Sequence, residues 1–150
     1  RRYFALSDRL VFAHRYLLQG VTAGVPVNHL FQVQTSFKQQ EGLRGAKTVR
    51  GLFKNRFVGR GLLIWNAELR WRAADFRFVG KPFHVVLSVF LDQGRIWDGN
   101  VQFDELIADL HRGLGGGVRF GMGENFVVAV DMGPSSEAGM PMYIGLGYLY

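Results

Sequence analysis

The sequence contains no cysteine. A disulfide framework, a thiolate zinc site and a thiol nucleophile are thereby excluded. Proline is scarce, at 4 of 150 residues, which excludes a collagen-like chain or a Pro-rich linker. Charged residues make up only 20% against 48% hydrophobic, so the chain is not a disordered tail. No apolar run reaches the roughly 18 residues that a membrane-spanning helix needs. Acids are short in one place above all. Residues 25–60 hold seven bases (Lys38, Arg44, Lys47, Arg50, Lys54, Arg56 and Arg60) against Glu41 alone, while the other 114 residues hold eleven of each sign. The net charge of +6 is a property of that segment and not of a general nucleic-acid-binding surface.

Glycine and aromatics are plentiful. Gly is 20 of 150 and aromatics are 14%, and with so little proline this composition fits an all-β chain of one ordinary domain. Period-2 alternation, the strand signature, recurs along the sequence. Leu63, Trp65, Ala67, Leu69 and Trp71 oppose Ile64, Asn66, Glu68, Arg70 and Arg72. Val85, Leu87, Val89 and Leu91 oppose His84, Val86, Ser88, Phe90 and Asp92. Leu114, Val118, Phe120 and Met122 oppose Gly113, Gly115, Gly117, Arg119 and Gly121. Phe126, Val128, Val130 and Met132 oppose Val127, Ala129, Asp131 and Gly133, and Ile144, Leu146, Tyr148 and Tyr150 oppose Tyr143, Gly145, Gly147 and Leu149. Residues 10–24 are strand-like too, with His14 and Arg15 on opposite faces, so that one of them must point outward. Residues 1–6 read as the tail of a preceding strand. Six full strands and this tail are expected.

The predicted connections alternate between short (Ser7-Asp8, residues 74–81, residues 123–125) and long (residues 25–60, 98–112 and 133–141). Asp104 to Leu110 has the pattern for one or two helical turns inside its loop. Short turns at one end and long loops at the other, broad apolar faces, and aromatics near strand ends (Trp65, Trp71, Trp97, Tyr148, Tyr150) favour a membrane barrel with its polar face inward. A soluble sandwich with the opposite facing is the alternative.

Other chemistry finds no frame. His14, His29, His84 and His111 lack metal-binding spacings. Gly113 to Gly117 fits neither a dinucleotide fingerprint nor a P-loop, and reads instead as room for a bend or for a closely packed loop. Ser135-Ser136 lacks the G-x-S-x-G frame of a hydrolase. No enzyme activity, catalytic residue, metal or cofactor is expected, and an aromatic platform for nucleic acid is thin.

Four motifs then fall in order. Thr48-Val49-Arg50-Gly51-Leu52 resembles the Val-Arg-Gly-aromatic motif of the BamA/TamA (bacterial surface antigen) superfamily of outer-membrane barrels, with Leu52 at the aromatic position and Phe53 behind it. Asn66-Ala67-Glu68-Leu69-Arg70 resembles that family's Glu-x-Arg strand, Phe90-Leu91-Asp92-Gln93-Gly94 its Phe-x-Asp-x-Gly strand, and residues 111–120 the glycine-rich strand that follows. The resemblance covers nearly the whole chain. It implies an antiparallel transmembrane β-barrel in the bacterial outer membrane, of which residues 1–150 are the C-terminal six to seven strands of sixteen, with residues 25–60 as a long infolded loop.

It further implies a latch in which Val49, Arg50 and Gly51 meet Glu68, Phe90, Asp92 and Gly94. A guanidinium suits that set, offering a planar fork to carboxylates and a cation to an aromatic ring. Pairing of Glu68 and Asp92 with Arg70 or Arg119 instead is the alternative. Tyr143, Gly145, Tyr148 and Tyr150 resemble the C-terminal seam strand and assembly signal of outer-membrane proteins. The implied function is insertion or translocation of outer-membrane proteins through a lateral seam. The implied partners are outer-membrane lipid and lipopolysaccharide, nascent outer-membrane proteins, and the rest of the barrel or other assembly subunits. A passive pore, or a barrel attached to an upstream enzyme domain such as a patatin-like lipase, are the alternatives.

Overall fold

The computed structural model describes residues 1–26, 32–33, 40–41, 48–50, 59–99, 110–123, 125–134 and 139–148. Every regular element among them is a β-strand: β1 (Arg2–Ser7), β2 (Leu10–Gly20), β3 (Gln32–Val33), β4 (Gln40–Glu41), β5 (Gly61–Phe78), β6 (Lys81–Trp97), β7 (His111–Met122), β8 (Phe126–Met132) and β9 (Met142–Leu146). Seven of these form one antiparallel sheet in the order β1-β2-β5-β6-β7-β8-β9, and β3 pairs with β4 separately. Sequence neighbours in the large sheet are spatial neighbours, so it is a simple meander. The residues expected to form helical turns, 104–109 in particular, lie outside the described residues.

Three strand boundaries in particular differ from the sequence reading; the strand expected over residues 10–24 ends at Gly20. The short connection expected over residues 74–81 is only a two-residue hairpin turn, because β5 continues to Phe78 and β6 starts at Lys81. The register slips between Arg72 and Ala74. That bulge shifts the in–out alternation by one residue, so a strict period-2 reading stops there. Val79 and Gly80 both have positive φ, 48° and 72°, as a tight hairpin turn requires. Gly suits that backbone and a β-branched residue does not. The last strand is also shorter than its alternation implied. β9 ends at Leu146 and Gly147 has a φ of 81°, which takes the chain out of the ladder.

The sheet is inverted relative to a soluble sandwich. Its polar face is the enclosed one. Arg15, Asn66, Glu68, Ser88, Asp92, Arg119 and Asp131 are all buried. Its apolar face is open, and Leu18, Trp71, Val89, Leu114, Phe120, Phe126, Ile144 and Leu146 are all exposed. Of the ambiguous pair on β2, Arg15 points inward and His14 outward, where it stacks between Phe4, Phe12 and Tyr16. The sheet also curls. β5 and β9 are four strands apart, roughly 19 Å in a flat sheet, yet the Arg70 guanidinium lies 4.5 Å from the ring of Tyr148, just past β9.

Candidate functional site

Three described residues of the long basic segment, Thr48, Val49 and Arg50, are buried against the polar face. They are held at two points. Val49 sits in a small apolar cluster with Leu62 and Ile64, against which Leu17 and Ile96 pack. Arg50, with no exposed surface, enters an ionic network one residue later.

The Arg50 fork engages three strands. Nε donates to Asp92 Oδ2 at 2.8 Å and Nη2 to Asp92 Oδ1 at 3.1 Å, the bidentate geometry of β6. Nη1 donates to Glu68 Oε2 on β5 and to Asp131 Oδ2 on β8, each at 3.1 Å. The backbone N–H of Arg50 adds a further bond to Asp92 at 3.0 Å. The guanidinium carbon lies 3.5 Å from the centroid of the Phe90 ring, close enough for a cation–π contact in a desolvated setting. Burial alone lowers the Arg50 pKa. The hydrogen bond to Asp92 and the charges of Asp92, Glu68 and Asp131 outweigh it and hold the group above the usual arginine range. The loop therefore carries a full positive charge into the interior.

That charge is matched. The buried residues of the network include three arginines (Arg15, Arg50, Arg119) and three carboxylates (Glu68, Asp92, Asp131). Arg119 Nη2 bonds to Glu68 at 3.1 Å, and both of its terminal nitrogens bond to Asp131. Arg70 Nε bonds to Glu68 at 3.0 Å. Glu68 is thus shared among Arg50, Arg70 and Arg119, so both sequence-level pairings of Glu68 occur together. A buried ion is tolerable only when its partners meet it with good geometry, and this one-to-one balance supplies that.

The structure brings five of the expected latch residues together. Val49, Arg50, Glu68, Phe90 and Asp92 come together, and Gly94 is buried on the same face of β6, between Ile64 and His111. Gly51 lies outside the described residues. Tyr143 and Gly145 are on β9, opposite Asp131 and Ala129. Tyr148 lies beyond the strand, against Arg70. Tyr150 lies outside the described residues. No family model, curated protein or solved structure matches this chain.

Four further participants lie outside the expected latch set; Arg119 and Asp131 carried a polar-face signal in the sequence, whereas Asn66 and Arg15 were not singled out as partners. Asp131 and Arg119 sit on inward positions of β8 and β7, and their polar-face parity was the available signal. Asn66 and Arg15 form a second clamp. Asn66 Nδ2 donates to the Thr48 carbonyl at 2.6 Å and to Asp92 at 2.8 Å, while its Oδ1 accepts from Arg15 Nε and Nη2 at 2.9 and 2.7 Å. One amide therefore ties the loop backbone to two strands. Asn66→Leu keeps the branched shape and leaves the Thr48 carbonyl and the Arg15 guanidinium each short of a partner. It is expected to lower stability by about 2 kcal/mol, measured by equilibrium urea unfolding, with faster protease cleavage inside residues 25–60. Unchanged unfolding and cleavage together would remove this clamp from the account.

The glycines of β7 make the seat. Its inward positions at 113, 115 and 117 are all Gly. A Cβ at Gly113 would run into the backbone carbonyl of Arg50, and one at Gly115 into the Phe90 ring and the backbone at Met132 and Gly133. Of the two sequence-level readings of this run, close packing of an infolded loop is the one the geometry fits.

Proposed function

We propose that this chain is the C-terminal part of a transmembrane β-barrel of the outer membrane, of BamA/TamA type and sixteen strands in all, that assists insertion or translocation of other outer-membrane proteins. The observation that carries this reading is the inverted sheet: charges inside, hydrocarbon outside.

The register turns that inversion into a measurable band. Outward residues fall into transverse rows. Phe76, Phe83, Met122 and Phe126 form one, and Trp71, Leu87, Val118, Val130 and Ile144 another. The highest apolar row holds Ala67, Leu91 and Leu114. From the first of these rows to the last is eight residue steps along β6, Phe83 to Leu91. That is about 26 Å along the strand, or about 20 Å along the membrane normal at a tilt of ~40°. Adding the side chains at each margin brings it close to the ~25 Å apolar belt of an outer-membrane barrel. Among the described paired positions of that band the polar residues are Arg2, Ser7 and His14, all on β1 and β2. The long connections then lie on the outer side and the tight turns on the periplasmic side.

Support for a seam comes from the ladder, which shortens toward the C-terminus. It has seventeen paired positions between β5 and β6, twelve between β6 and β7, seven between β7 and β8 and five between β8 and β9. A short final strand leaves an edge to which a substrate strand can add by backbone hydrogen bonding. No bond chemistry is required.

Spin labels placed singly at residues 85–91 of the intact protein in lipid test the barrel. Odd positions are expected to collide with oxygen dissolved in the bilayer and even positions are not; a reversed or absent alternation rejects the membrane facing. Arg50→Ala then separates the functions. Impaired assembly of other barrels supports insertion, whereas altered conductance alone favours a passive pore.

A further inference from the structure

The outer face changes character one row above the apolar band. There Tyr16, Trp65, Gln93 and Arg112 lie side by side on β2, β5, β6 and β7. Arg95 lies one row higher, beside Leu63. Leu62 and Ile96, the neighbours of Leu63 and Arg95 in sequence, belong to or pack against the inward cluster. This parity puts Arg95 on the outward face. Trp97, two residues on, lies over Gly61, where a Cβ would meet its ring. Aromatic rings therefore flank two guanidinium groups and an amide at the upper margin of the hydrocarbon.

Two buried donors of this patch lack acceptors. Arg95 Nη1 and Trp65 Nε1 are buried against the sheet with no hydrogen-bond partner. Among the described residues neither Arg95 nor Arg112 has an ion-pair partner. Asp92 and Asp98, each three residues from Arg95, are engaged elsewhere, by Arg50 at 2.8 Å and by Arg60 at 2.9 Å. An unmade hydrogen bond to a buried donor is a standing cost, and rotation of the arginine side chain removes it once an anion arrives. The inward arginines make the contrast. Arg50 and Arg119 pair with carboxylates of the chain itself and Arg15 bonds to the Asn66 amide, with Arg119 Nε alone of their described donors lacking a partner, whereas the outward pair meets no carboxylate among the described residues.

We propose that Trp65, Gln93, Arg95 and Arg112 bind the phosphate of an outer-leaflet glycolipid whose acyl chains lie down the apolar rows beneath. The proposal rests on the barrel reading above, which sets this margin at the outer leaflet. Three features select a phosphorylated lipid over a soluble anion. The patch adjoins exposed Leu114 and Val89, which would hold acyl chains. Its charge is positive, which suits a phosphate. It is also a shallow part of a sheet face and not a cavity, so the lipid tail must supply part of the affinity.

The test uses the intact protein in phosphatidylcholine nanodiscs doped with bisphosphorylated lipid A, compared with the same glycolipid stripped of its phosphates. Retention is read by native mass spectrometry. The doubly phosphorylated lipid is expected to be retained by the wild type and lost by the R95Q/R112Q double variant, with affinity falling roughly thirtyfold, as two interfacial cations imply. Inorganic phosphate is expected not to compete. Equal retention by the double variant overturns the site. Equal retention of the stripped glycolipid overturns phosphate recognition. Competition by inorganic phosphate at the lipid's own affinity shows an anion site that does not use the tail, and overturns the lipid assignment. Failure of the wild type to enter nanodiscs would count against the barrel reading instead, so the two failures are distinguishable.

Discussion

Arg50→Ala is expected to release the basic loop and to lower the stability of the sheet by about 3–5 kcal/mol, the range for removing one partner from a buried ion pair. Four side-chain hydrogen bonds and the contact with Phe90 disappear together. The damage is uneven. Glu68 keeps Arg70 and Arg119, and Asp131 keeps Arg119. Among the described residues Asp92 keeps no cation, only the Asn66 amide and the loop N–H. A second substitution therefore discriminates. Asp92→Asn in the Arg50→Ala background is expected to recover part of the loss, because it removes the orphaned charge, whereas Glu68→Gln is expected to recover none. Arg50→Lys is expected to fall between, since an ammonium cannot reproduce a fork spanning three carboxylates and a ring. Thermal or urea unfolding with protease mapping of residues 25–60 reads all four. If Arg50→Ala unfolds within about 0.5 kcal/mol of the wild type, as surface changes do, the loop is not held by this arginine.

How much of this arrangement is legible in the sequence depends on the distance over which each feature is encoded. The alternation of Leu63 to Trp71 against Ile64 to Arg72 is local, and it gives both the strand and its two faces. The facing of those faces is not local. Period alone is identical for a sandwich and a barrel, and only the burial of Glu68, Asp92 and Arg119 beside exposed Val89 and Phe120 separates them. The bulge at Arg72 to Ala74 leaves no residue signal, since neither a glycine nor a proline marks it. The choice between His14 and Arg15 follows from charge. The guanidinium finds the Asn66 carbonyl inside, and the imidazole stacks in an aromatic row outside. Asp131 joins Arg50 across 81 positions of sequence. Nothing short of the sheet order brings it there, so only its inward parity could have nominated it.

The second large effect needs no change of charge. Gly113→Val is expected to push the loop off its seat, because the new side chain would occupy the place of the Arg50 carbonyl. That atom belongs to backbone anchored by the two residues before it, Val49 in its apolar cluster and Thr48 through its carbonyl on Asn66, and by Arg50's own N–H on Asp92. It cannot yield as a flexible side-chain tip would. All three buried carboxylates and their cations are still present, yet Arg50 can no longer reach them together, so the expected loss approaches that of Arg50→Ala, about 3 kcal/mol. Because both substitutions act by undocking one loop, their combination is expected to exceed the larger single effect by no more than about 0.5 kcal/mol. Gly145→Ala is the control. It lies on the same face of the sheet with open space around it, and its effect is expected to stay within about 0.5 kcal/mol. Additive losses in the double variant would mean that Gly113 serves the sheet itself and that the loop is held elsewhere. A Gly113→Val protein with wild-type stability and an uncut loop would mean that the carbonyl of Arg50 does not rest on β7.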